Sequence, residues 1–138
     1  MPALCIVQYR ACSIWIALLL CTASTALAGT SDITLQTALI AEDVRDHQPV
    51  HPAVVIPVSA GKVVCFTTFA SVRDQTTVYH AWYFRDRLIT KRKLMVESPQ
   101  WSTYSAIQLR ENDKGPWRVD ILDQNNRCLA TLRFSITD

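Results

Sequence analysis

Glycine is scarce in this chain. Three glycines in 138 residues exclude a collagen-like or Gly-rich low-complexity protein. There is no internal repeat and no convincing amphipathic helix. Net charge is small as well: the formal value is +2, which gives no global reason to expect nucleic acid. Charged residues make up only 19% of the chain and hydrophobic residues 49%, which excludes a disordered segment held open by charge. What remains is one small globular domain.

The first 28 residues contain no acid and one charged side chain, Arg10. Ile14 to Cys21 reads I-W-I-A-L-L-L-C, short of the ~20 apolar residues that a membrane span needs. Small and polar residues follow, then Ala26-Leu27-Ala28 before Gly29. Charge, apolar run and A-x-A in that order describe a secretory signal peptide over residues 1–28, cleaved after Ala28. The alternative is an uncleaved N-terminal anchor, the one route by which this chain would touch a membrane. A lipid anchor on Cys21 is disfavoured because Leu20, not a small residue, precedes it. The expected location is the periplasm.

Cleavage leaves residues 29–138 as a single domain, able to bury roughly 65% of its unfolded surface. Cys5, Cys12 and Cys21 leave with the signal. Cys65 and Cys128 remain, both in apolar alternating segments. In an oxidising compartment a Cys65–Cys128 disulfide would close a long loop and contribute about 4 kcal/mol in the chain-entropy account. The other reading is two buried thiols in separate strands, since pairing requires Cα atoms within about 7 Å.

The mature chain is a series of short apolar runs with period two, separated by turn residues. Strands are predicted over Ile33–Asp43, Lys62–Phe69, Thr76–Phe84, Leu88–Val96, Trp101–Leu109, Trp117–Asp123 and Cys128–Ile136. Asp46–Pro57 holds Pro49, Pro52 and Pro57 and reads as a loop or edge segment. Arg85-Asp86 fits a tight turn, and Gln124-Asn125-Asn126 a hairpin. About seven strands at this spacing predict an all-β, antiparallel, immunoglobulin-like sandwich. Alternation puts Val78, His80, Trp82 and Phe84 on one face of their strand. In the last strand it groups Cys128, Ala130, Leu132, Phe134 and Ile136, opposed by Thr131, Arg133 and Ser135.

Three segments carry a resemblance. His80-Ala81-Trp82-Tyr83-Phe84 is similar to an H-x-W-x-x motif, and Trp101-Ser102-Thr103-Tyr104-Ser105 to a W-x-x-W/Y-S segment. Gly115-Pro116-Trp117-Arg118-Val119-Asp120 is similar to a G-x-W-x-V, and Asp123, Leu129 and Phe134 fit the final hairpin. Together, over Ile33 to Ile136, they resemble a bacterial family called domain of unknown function 2914. The resemblance implies a small exported all-β domain and leaves its activity open. Arg85-Asp86 stands where that family has an Asn-Gly type turn, Gln100 where it has an Arg, and Ala106-Ile107 where a basic residue often follows.

Several residues invite a functional reading. Arg85, Arg87, Lys91, Arg92 and Lys93 make a locally positive hairpin, suited to an anionic partner such as an envelope polymer or protein. The plainer reading is an edge hairpin whose charges prevent pairing with other chains. Trp101, at a strand start after Pro99, is the aromatic best placed to be exposed, with His80 at the margin of the same surface. His80 and Trp82 otherwise read as core. The expectation is a non-catalytic binding module of the cell envelope without cofactor, metal or nucleic-acid partner. The alternatives are a carbohydrate-binding module with Trp101, Tyr104 and Trp82 as a stacking platform, and a small metal-dependent or hydrolytic enzyme. The last is weakly supported. Pro49 and Pro52 forbid a helix that would align His47 with His51, and Ser102 and Ser105 lack a nucleophile-elbow context.

Overall fold

The computed structural model describes residues 33–138. The signal segment, its cleavage point after Ala28, and Cys5, Cys12 and Cys21 lie outside these residues. Nine strands follow in order: β1 (Thr34–Arg45), β2 (Gln48–Pro52), β3 (Val55–Pro57), β4 (Lys62–Ala70), β5 (Thr76–Phe84), β6 (Arg87–Val96), β7 (Trp101–Gln108), β8 (Gly115–Leu122) and β9 (Cys128–Thr137). They form two sheets, ordered β2-β1-β4-β7 and β3-β9-β8-β5-β6. All pairings are antiparallel except β3 with β9. The sequence β1-β4-β7 against β9-β8-β5-β6 corresponds to strands A-B-E against G-F-C-C′ of an immunoglobulin-like sandwich.

Two strands exceed the sequence-based expectation, and prolines explain where. Asp46–Pro57 forms two short edge strands, β2 on one sheet and β3 on the other. Pro49, Pro52 and Pro57 donate no ladder hydrogen bond, so the segment is tolerated only where one side of the strand is unpaired. It carries the chain from the outer edge of one sheet to the outer edge of its partner.

The core lies between the sheets. Trp82 is fully buried and meets Phe134 edge-on at 6.1 Å. Phe134 stacks on Trp117 at 6.2 Å, and Trp117 packs on Phe84 at 4.9 Å. Ile40, Val63, Cys65 and Phe69 close the core from the four-stranded sheet. Burying a side chain of this class contributes about 1.5–3 kcal/mol.

A bulge corrects the disulfide reading. Ile121 pairs with Ala130 and Leu122 with Cys128, so the β8–β9 register shifts by one residue at that point. A one-residue shift turns the side chains beyond it to the other face. Cys128 is therefore exposed, while Cys65 is buried in the opposite sheet, and both are free thiols. Burial pushes the Cys65 thiol up to about 12, which makes it inert as a nucleophile.

Candidate functional site

Two of the three motif segments, His80–Phe84 and Trp101–Ser105, meet between the sheets. His80 and Trp82 project inward from β5, and Thr67 and Ser105 face them from β4 and β7. Trp82 Nε1 donates to Ser105 Oγ at 3.0 Å, and His80 Nδ1 lies 2.8 Å from the same oxygen. On the other side of the ring, His80 Nε2 is 3.2 Å from Thr67 Oγ1, whose hydroxyl donates to the Thr103 carbonyl at 3.3 Å. The direction of every bond follows. Thr67 has spent its single proton on Thr103, so it must accept from His80 Nε2–H. A neutral ring then accepts at Nδ1 from the Ser105 hydroxyl. Desolvation holds the His80 imidazole down to about 4, so it is uncharged at neutral pH. His80 is fully buried, which removes it from the exposed binding surface expected for it.

The basic hairpin does not form one patch. A two-residue turn joins β5 to β6, with Arg85 and Asp86 both at positive φ (48° and 63°). Along β6, alternation and pairing separate the charges. Lys91 and Lys93 stand opposite Ala81 and Tyr79, on the outer face of the five-stranded sheet. Arg92 stands opposite His80 and so points to the inner side. There it lines a cleft of about 500 Å³ between the edges β6 and β7, with Ile89, Ile107 and Arg110. Arg87 is exposed opposite Phe84 at the hairpin end.

Lys91 and Lys93 instead share their face with two arginines from distant strands. Arg118 on β8 lies opposite Tyr83, and Arg133 on β9 lies opposite Arg118. Aromatic rings lie among these cations: Lys91 Nζ is 4.4 Å from the Tyr79 centroid, and the Arg118 guanidinium 4.1 Å from that of Tyr83. Asp120 and Asp86 are the acids at hand, both within reach of Arg118. Sequence reasoning missed Arg118, and it placed Arg133 on a solvent face without a role. Period-two alternation marks both as outward, but only the strand order shows that they adjoin the hairpin.

The aromatic platform is not assembled. Trp82 is core, and Trp101 and Tyr104 point to opposite faces of β7 because they are an odd number of residues apart. Trp101 is 38% exposed at the open edge of the sandwich, while Tyr104 is exposed on the outer face of the four-stranded sheet. His47 lies in the β1–β2 turn and His51 contacts Glu42 at 3.2 Å. Among the described residues, no three His, Cys, Asp or Glu side chains gather as a metal-binding group.

Residues 75–136 match the family model described as Protein of unknown function (DUF2914). This part of the chain belongs to the DUF2914 family. The match spans β5 to β9 and includes His80, Trp82, Ser105 and the outward arginines. Strands β1 to β4, which the sequence resemblance had included, lie outside it. No curated protein matches the chain. Among solved structures, a Se-Met labelled β-glucosidase from Kluyveromyces marxianus aligns at 10% identity and a TM-score of 0.43. The alignment covers 78% of this chain and 14% of that one.

Proposed function

We propose that this DUF2914 protein is a non-catalytic, exported binding module of the cell envelope that engages an anionic partner, a polymer or an acidic protein surface. The observation that carries the reading is the outer face of the five-stranded sheet. Lys91 and Lys93 from the hairpin share this face with Arg118 and Arg133, and Tyr79 and Tyr83 lie on it as well. Cations attract a polyanion over several ångströms, and the rings add directional contact once it has arrived. An open sheet face suits an extended ligand. Export rests on the Arg10, Ile14–Cys21 and Ala26-Leu27-Ala28 pattern, with the periplasm as destination.

The test is retention of the protein on immobilised polyphosphate and polyglutamate at low and high salt. Binding is expected at low salt, lost at high salt, and lost in Lys91→Glu/Lys93→Glu. Trp101→Ala is expected to bind as the parent does. Salt-insensitive retention, or retention by the double charge reversal, would sink the reading.

A further inference from the structure

At the end of this outer face is a small pocket lined by three arginines. Arg85 from the β5–β6 turn, Arg118 from β8 and Arg133 from β9 line a cavity of about 70 Å³ together with Tyr83, Asp86 and Pro116. The site is small and half-open, with room for a compact polyatomic ion.

The charges there are not balanced from within. Arg118 and Arg133 are direct cross-strand partners, an arrangement of like charges that opposes sheet pairing. Both nearby acids serve Arg118: Asp86 Oδ1 is 2.6 Å from its Nη1 and Asp120 Oδ1 3.2 Å from its Nε. That Nε is buried and makes no aligned hydrogen bond despite the short distance. Among the described residues, Arg85 and Arg133 form no ion pair.

Arg85 is also held in place. Its backbone N–H donates to the Pro116 carbonyl at 3.2 Å, and its guanidinium lies 5.0 Å from the Phe84 ring centroid. The guanidinium also passes beside Gly115, where a side chain would reach it at about 3.5 Å. Both turn residues, Arg85 and Asp86, line the pocket in left-handed backbone conformations that Asn-Gly would adopt with less strain. The strain sits in the turn that lines the pocket.

We propose that the Arg85–Arg118–Arg133 pocket binds a single phosphate-sized oxyanion, either free or as a terminal group of the anionic partner. The assignment deepens the binding role proposed above and rests on it for the identity of the partner. Planar guanidinium forks match the oxygens of phosphate or sulfate, and the three arginines that line the cavity exceed the two carboxylates, Asp86 and Asp120, by one charge.

The experiment titrates the full chain, at low ionic strength, with inorganic phosphate, with glycerol phosphate as a carried monoester, and with polyphosphate. Saturable one-site phosphate binding is expected, weakened about ten-fold or more by Arg133→Gln and by Arg85→Gln. Lys91→Gln/Lys93→Gln, on the same face but outside the pocket, is expected to leave phosphate binding within about two-fold while weakening polyphosphate. Tighter binding of glycerol phosphate than of phosphate marks a carried group, and equal binding marks the free ion. Unsaturable phosphate binding, or no loss in Arg133→Gln, overturns the pocket. If polyphosphate still binds in that case, the binding face survives without it; if neither ligand binds, both readings fall.

Discussion

His80 Nδ1 and Ser105 Oγ are 2.8 Å apart across the interface between the two sheets, and Trp82 Nε1 donates to the same oxygen. One hydroxyl thus satisfies two buried ring nitrogens from the facing sheet. Hydrophobic packing alone would permit the sheets to slide. Directional bonds at this point specify how β5 seats on β4 and β7.

Ser105→Ala removes that shared partner without adding bulk. It leaves Trp82 Nε1–H and an acceptor nitrogen of His80 unpaired in the core. The expected loss is about 2–4 kcal/mol, read as a lower urea midpoint with unchanged slope. Thr67→Val removes the acceptor for His80 Nε2 and the donor to the Thr103 carbonyl, leaves the Ser105 side intact, and is expected to cost about 1–2 kcal/mol.

Stability should fall with acid through His80. Its folded pKa is lowered to about 4 from an ordinary 6.5. Between those values the unfolded chain binds the proton and the folded one does not, so stability rises with pH across the window. The contribution is complete above about pH 6.5, declines as pH falls, and is lost by about pH 4. Its span is on the order of 3 kcal/mol. Urea midpoints at pH 7, 5.5 and 4 measure it, and His80→Gln should flatten the slope in that interval.

The β5–β6 turn sets stability against binding. Replacing Arg85-Asp86 by Asn-Gly relieves two left-handed non-glycine residues and should stabilise the fold by about 1–2 kcal/mol. The same change deletes a pocket arginine together with the Asp86 carboxylate paired with Arg118, so the binding arm is read in Arg85→Asn alone, which keeps Asp86 and should lower phosphate affinity as thermal stability rises. A variant that gains stability and keeps full phosphate affinity would remove Arg85 from the pocket.

The two thiols should differ in reactivity. Cys128 is exposed and Cys65 is buried with its thiol pushed up to about 12. Alkylation of the native protein followed by mass mapping should label Cys128, and Cys65 only in denaturant. No Cys65–Cys128 crosslink should form under mild oxidation.

Much of the fold was legible in local pattern. Alternation in Thr76–Phe84 identifies His80 and Trp82 as face-mates, and the structure places both inward. Composition and spacing predict a sandwich because β-branched and aromatic residues recur with period two between turn residues. The prolines of Asp46–Pro57 mark it as edge or loop, and only the fold shows that it supplies two edges. The reading of Cys128 as core-facing failed at the bulge beside Leu122, since a one-residue shift leaves no mark in an alternation count.

By itself, then, the sequence determined which residues face together within each strand, because a strand's side-chain period is a local property of the backbone. It also carried the motif residues that place β5 to β9 in the DUF2914 family. Tertiary structure decided which strands are neighbours. That choice divided the basic hairpin, sending Arg92 to the β6–β7 cleft and Lys91 and Lys93 to the outer sheet face. It also brought Arg85, Arg118 and Arg133 together from a turn and two later strands, and joined His80 to Ser105 across 25 residues of chain. The physical reason is that strand neighbours are chosen by the global burial of both sheet faces and by ladder hydrogen bonds between distant segments. Neither is encoded in any single stretch of chain.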